Sequence, residues 1–241
     1  MRHSSKHGAG ASNNNTSRRS FAGRGVRYSV GIDEVGRGSL AGPVVVAAVC
    51  IPSRIKLKLP SRIFANAVSS RTIRENTLRD SKRLSAQQRE RWSAYCRSHP
   101  SIAYAVARVY PRGIEKMNIS VAANLAALRA FIRLAKSLKL KAKSYCVYLD
   151  GGLYLGNTRS GYRAHTVVKG DEKIPAIAAA SIIAKVHRDR YMRRLAKQYP
   201  QYGFEMHKGY GTKVHFAAIR RHGPSEVHRA TFLKNISILK S

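Results

Sequence analysis

Apolar and polar positions alternate where the chain first becomes hydrophobic. Tyr28, Val30 and Ile32 face Ser29, Gly31 and Asp33 at the two-residue period of a strand. A glycine-rich turn from Gly36 to Gly42 leads through Pro43 into a second apolar run, Val44 to Ile51, of strand length. Ile102 to Tyr110 predicts a third strand. Tyr145 to Leu149, ending at Asp150, and His165 to Val168, ending near Asp171, predict two more, both buried. The helical period appears between them. Ser85 caps a predicted helix to Ser98, and a clear amphipathic helix runs from after Asn118 to about Leu138. Its apolar stripe is read as Val121, Leu125, Leu128, Phe131 and Ile132. Ala176 to about Tyr199 predicts a long helix, and Thr212 to His222 a shorter one. Three strands followed by strands alternating with helices predict an α/β fold with a mixed central sheet flanked by helices.

With 241 residues, 44% of them hydrophobic, the chain suits one domain and one sizeable core. No run of eighteen apolar residues occurs, so no membrane span is expected. Residues 1–26 stand apart as a basic leader rich in Ser, Asn, Gly, Arg and His, without acids or an apolar face. Disorder, a basic arm touching phosphates and an organellar transit peptide all fit that composition. The folded part is expected over residues 27–241, with a C-terminal helical segment from about residue 200.

Charge narrows the function classes. Forty-five Lys and Arg against 12 Asp and Glu give a formal net charge of +33, spread along the whole length. Nucleic acid is the polyanion that most often relieves such self-repulsion. A generally basic proteome or a solubility bias would also give a basic chain, and charge alone fits a ribosomal protein as well as an enzyme. Cys50, Cys96 and Cys146 are odd in number and far apart, which supports neither a zinc knuckle nor a disulfide framework. Cys50 and Cys146 lie in apolar strands and read as buried thiols in a reducing compartment.

Against that background the acids are informative. Of only five aspartates, Asp33 and Asp150 end predicted strands and Asp171 follows a third, while Glu34 adjoins Asp33. Carboxylates gathered at one sheet end either pair with arginine or hold divalent metal, and sheet ends are where α/β proteins place their sites. Phosphodiester displacement requires an activated water and a stabilised leaving oxygen, which two ions about 4 Å apart supply. Other motifs fail. Gly36, Gly38 and Gly42 have GxGxxxG spacing with a strand behind them, where a dinucleotide loop needs a helix. Gly209 to Lys213 lacks Walker A order, and no HExxH or GxSxG occurs. His207, His215, His222 and His228 match no zinc spacing and read as surface histidines.

The string Gly31-Ile-Asp-Glu-Val-Gly-Arg-Gly-Ser-Leu-Ala-Gly-Pro43 resembles the opening signature of the ribonuclease HII (type 2 ribonuclease H) family, in its bacterial form. Asp80-Ser-Lys-Arg-Leu-Ser85 and Leu149-Asp-Gly151 resemble its second and third blocks. Lys169 to Pro175, with Ala178 to Val186 and Arg188 to Arg190, resembles the fourth; Tyr202 to Phe204 and His207 to Tyr210 resemble the last. All five blocks stand in family order across about residues 28–232. Gly151-Gly152 departs from the more usual Gly-Asn, and the leader is an addition.

The resemblance implies a ribonuclease H-like fold and a metal-dependent endonuclease. Its substrates would be the RNA strand of RNA–DNA hybrids and ribonucleotides embedded in duplex DNA. The cut would fall 5′ of the ribonucleotide, leaving 3′-hydroxyl and 5′-phosphate ends. Two Mg²⁺ or Mn²⁺ ions would sit on Asp33, Glu34, Asp150 and Asp171, with Asp33 touching both. Gly36, Arg37 and Gly38 resemble the strip that reads the ribose 2′-hydroxyl, since glycine backbone approaches a sugar edge closely. Tyr210 corresponds to the tyrosine that packs on the following deoxynucleotide and favours the junction. Lys82 and Lys208 are candidate phosphate contacts. Ser181, Lys185 and Asp189 share one helix face at i+4 spacing, where Asp189 either backs the metal site or pairs with a neighbouring arginine. A monomer in the cytoplasm is expected, or in an organelle if the leader is a transit peptide. The rival readings are a related ribonuclease H-like nuclease without junction preference and a nonenzymatic RNA-binding protein.

Overall fold

The computed structural model describes residues 26–55, 57, 78, 84–141, 144–156 and 163–234. Three strands, β1 (Tyr28–Val35), β2 (Val44–Pro52) and β3 (Ala103–Val109), pair in succession as antiparallel strands. Beyond β1, two strands run parallel to it: β4 (Tyr145–Asp150) and then β5 (Arg163–Val167). The order across the sheet is β3-β2-β1-β4-β5. This is the mixed sheet that the strand pattern predicts. Because β1 and β4 are parallel, their carboxyl ends meet at one sheet end, with Ile32 opposite Leu149.

The helices follow in chain order: α1 (Ala86–Ser98), α2 (Pro111–Met117), α3 (Ile119–Leu138), α4 (Gly170–Lys173) and α5 (Pro175–Gln198). A C-terminal group adds α6 (Phe204–His207), α7 (Lys213–His222) and α8 (Ala230–Leu233). Ser85 caps α1 as expected, in a capping box with Gln88 that satisfies both backbone donors. Helix α5 opens one residue earlier than its apolar pattern, at Pro175, because proline's missing N–H costs nothing in a first turn.

Helix α3 covers one face of the sheet and α5 the other, with α1 against α5. The face that α3 buries is only in part the one its large residues suggest: Phe131 is buried and Leu125 and Leu128 pack against the core. Val121 is 49% exposed and Ile132 40%, whereas Ala122, Ala123, Ala126, Ala127 and Ala130 are fully buried with Phe131 and Leu134. Small side chains let the helix approach the valine-rich inner strands, so the alanine stripe won over the bulkier one. Strand β5 also departs from expectation. It spans Arg163–Val167 and is mostly exposed, as an edge strand with only β4 beside it.

The C-terminal histidines correct a further reading. His222 is exposed, but His207, His215 and His228 are buried. His207 and His215 stack at 4.3 Å, and Nε2 of His215 lies 3.1 Å from Nε2 of His228. Burial lowers the affinity of His215 and His228 for a second proton, to pKa values of about 4, so both are neutral hydrogen-bonding residues of the core. The thiols of Cys50, Cys96 and Cys146 are buried and free. Among the described residues no helix is long and apolar enough to cross a membrane. Nearly all of the leader, with Asp80 and Lys82, lies outside the described residues.

Candidate active site

The site forms where β1 and β4 end. Gly31 lies on the α5 side of β1, so close that a Cβ there would stand 2.1 Å from the backbone of Ala176. Asp33, two residues on, emerges on that same side. Cys146 and Tyr148 pack on Ile177 of α5, so Asp150, two beyond Tyr148, emerges there too. Glu34 starts from the opposite face but lines the same cavity, because the strand ends one residue later. Asp171 arrives on the first turn of α4. That turn is tied to the strand end by the Gly170 N–H, which donates to Asp150 Oδ1 at 2.7 Å.

All four carboxylates therefore line one cavity of about 440 Å³. Gly36, Arg37, Gly38 and Tyr210 form part of the same wall. The sequence reading missed Arg89 there; it comes from α1, in a polar stretch with no signal for a site. Ser181 and Lys185 also line the cavity, and the shared helix face had marked them without assigning them to it. Asp189 sits behind Lys185, whose ammonium it accepts at 2.8 Å, so its ion pair is with lysine rather than arginine. Lys208 is not part of the lining; its ammonium donates to the Glu205 carbonyl.

The electrostatics of the cavity are those of crowded anions. Asp33 is 6% exposed, and burial, then the charges of Asp150 and Glu34, push its carboxyl up to about 8. Hydrogen bonds from Ser181 and from the Glu34 N–H, at 2.7 Å, pull the other way without winning. Burial also raises Glu34, against the Arg37 guanidinium 3.3 Å from its Oε1. The second oxygen, Glu34 Oε2, is buried with no hydrogen-bond partner.

An orphaned carboxylate oxygen beside an aspartate that resists ionisation suits cation binding, and an all-oxygen donor set suits a hard divalent ion. Among the described residues no group of three acidic, histidine or cysteine side chains is placed to hold an ion as it stands. The four carboxylates share the cavity wall with the cations Arg37, Arg89 and Lys185. Arg37 also lies against Gly152. A Cβ there would lie 3.2 Å from Arg37 Nη1, so the second glycine leaves that guanidinium room.

Comparison with known proteins identifies the family and the fold. Residues 30–235 match the Ribonuclease HII family. The ribonuclease HII of Caldicellulosiruptor bescii is 40% identical over 212 residues, which cover 88% of this chain and 89% of that one. Among solved structures, a chain of the PCNA:RNase HII complex from Archaeoglobus fulgidus is similar with a TM-score of 0.62 at 24% identity, over 87% of this chain and 96% of that one. Bst-RNase HIII in complex with Mn²⁺ is similar with a TM-score of 0.61 at 19% identity, over 90% and 69% respectively. At those identities the two structures bear on the fold alone, which is the ribonuclease H-like fold. The family match and the curated relative decide the rest: this chain belongs to the ribonuclease HII family, and it is an endoribonuclease.

Proposed function

We propose that this enzyme cuts on the 5′ side of ribonucleotides embedded in duplex DNA, and of the last ribonucleotide at an RNA–DNA junction, leaving 3′-hydroxyl and 5′-phosphate ends. The observation that carries this is one cavity lined by Asp33, Glu34, Asp150 and Asp171, with the Gly36–Gly38 strip and Tyr210 on its rim.

Asp33, Glu34, Asp150 and Asp171 would hold two divalent ions, Mg²⁺ or Mn²⁺. Bound there, such ions supply activation of the attacking water and stabilisation of the leaving oxygen. The chain's own groups then orient the substrate. Gly38 opens onto free space, with nothing within 4 Å of where a Cβ would stand, so a sugar edge can reach its backbone. Tyr210 offers a half-buried ring to the next sugar, where a 2′-hydroxyl would crowd it. Arg89 and Lys185 place positive charge on the wall for the phosphate. Lys208 serves the backbone farther out.

The test uses a labelled DNA duplex with one ribonucleotide, incubated with Mg²⁺, Mn²⁺ or EDTA. Metal-dependent cleavage 5′ of the ribonucleotide is expected, with a loss of at least about a thousandfold in Asp150→Asn. Parental cutting by that variant would sink the ligand assignment. Cleavage confined to long hybrids would favour the reading without junction preference, and binding with no cut by the parent would favour a binding role.

A further inference from the structure

Among the described residues two arginines are fully buried, Arg188 on α5 and Arg229 just before α8. Among the described residues neither forms an ion pair with a carboxylate. A buried charge without a counter-charge is costly unless every donor is used. Here the partners are nearly all main-chain carbonyls of one loop, residues 36–43, which contains the glycine strip of the active site.

Arg229 holds the strip itself. Its Nη2 donates to the Gly36 carbonyl at 2.7 Å and its Nη1 to the Arg37 carbonyl at 2.8 Å. Nε and Nη2 both reach the Gly42 carbonyl, at 3.1 and 2.9 Å. In a trans peptide the C=O and the following N–H point in opposite directions. Tying the carbonyls of Gly36 and Arg37 to a buried guanidinium therefore turns the N–H groups of Arg37 and Gly38 away from it.

Arg188 joins this loop to the second recognition element. Its Nε donates to the Pro43 carbonyl at 3.1 Å, and its Nη2 to Ser39 Oγ at 2.7 Å and the Ala41 carbonyl at 3.1 Å. Its Nη1 crosses to the Lys208 carbonyl at 2.9 Å, and its guanidinium carbon lies 5.3 Å from the centre of the Tyr210 ring. The loops also meet directly, through the Leu40 N–H on the Gly209 carbonyl at 2.8 Å. Gly36 has φ of +87°, and a Cβ on it would stand 2.2 Å from Arg188 Nε, so the arginine occupies the space that only glycine leaves.

We propose that Arg188 and Arg229 are positioning residues: Arg229 aims the amides of the Gly36–Gly38 strip at the substrate, and Arg188 locks that strip to Tyr210, so the ribose and the next nucleotide are read by one rigid unit. The proposal rests on the substrate reading above. Lysine keeps the charge but is a single point with three donors, and it cannot span carbonyls arranged around a planar fork.

The experiment combines kinetics with hydrogen exchange on Arg188→Lys and Arg229→Lys, both first shown to melt cooperatively. On the single-ribonucleotide duplex, each is expected to lose about a hundredfold in kcat with little change in KM, because misplacement by about 1 Å costs that much. On Arg188→Lys, the ratio of junction to continuous-hybrid cleavage should fall towards that of Tyr210→Ala, and adding Tyr210→Ala should lower it no further. Parental kcat in either folded variant would overturn its positioning role, and equal losses of Arg188→Lys on both substrates would overturn the link to Tyr210. Exchange needs no substrate: peptides covering residues 36–43 and 207–212 should lose protection together in Arg188→Lys. Faster exchange in one alone, or in neither, would overturn the coupling even if Arg229→Lys fails to fold. Joint loss of protection in a protein whose parent ignores single ribonucleotides would uphold the scaffold and overturn the substrate reading instead.

Discussion

At the scale of single residues, the surrounding protein disfavours two of the site's acids, Asp33 and Glu34, as anions. Asp33 moves from its ordinary 3.8 to about 8, first through burial and then through Asp150 and Glu34. Between those values the folded protein without metal holds a proton that the unfolded chain has released, so stability falls as pH rises through the window. In EDTA, the melting temperature of the parent should therefore fall relative to that of Asp33→Asn between about pH 4 and pH 8. Parallel curves would show that Asp33 is not the group responsible. Added Mg²⁺ or Mn²⁺ should bind more tightly as pH rises, because the ligands must ionise. Tyr210→Ala makes a separate test. It should leave cleavage of a continuous hybrid near the parental rate and reduce the junction preference, since the ring no longer crowds a 2′-hydroxyl on the next sugar. Competition between the two substrates in one tube reads that ratio directly.

At the scale of elements, the site depends on how closely α5 lies on β1. Gly31 permits that contact, and Gly31→Ala would force a Cβ against the Ala176 backbone. We expect a loss of about 1–3 kcal/mol in urea denaturation, with reduced activity because Asp33 and Ser181 separate. Unchanged stability would mean the two elements can part without cost. Helix α1 contributes Arg89 to the cavity and is started by the Ser85 capping box. Ser85→Ala should cost about 1 kcal/mol. The element scale also shows the limits of periodicity. In α3, Val121 and Ile132 fit an apolar stripe, yet the sheet selected alanines, since contact with a flat valine surface favours close approach over bulk.

For the whole molecule, the net charge of +33 is opposed by few acids, and four of those acids sit in one cavity. Substrate should therefore be drawn mainly by its phosphates, with release of counterions. Binding of a single-ribonucleotide duplex by Asp150→Asn should weaken by about a thousandfold or more between about 50 and 200 mM salt, measured by anisotropy. A shallow dependence would mean that most of the basic residues lie away from the nucleic acid.

Much of this protein was legible along the chain. Alternation in β1 and short apolar runs after it placed β1 to β4 within about two residues, and rarity of acids in so basic a chain singled out Asp33, Glu34, Asp150 and Asp171. Motif order pointed to the family, because the spacing of those blocks reflects chain positions that local geometry constrains. Other features could not be read in one dimension. The pairing of Ile32 with Leu149 sets two distant acids side by side, and burial is the largest cause of the rise at Asp33. His207, His215 and His228 look like surface residues until three segments close around them. Arg188 and Arg229 look like two more cations among 45, yet they are the ones buried beneath the glycine strip. Periodicity and composition depend on neighbours in sequence, so the chain alone determined its elements, its acids and its family. Burial, charge coupling and long-range hydrogen bonds depend on neighbours in space, so only the tertiary structure decided which cations line the cavity and which lie buried against the loop beside it.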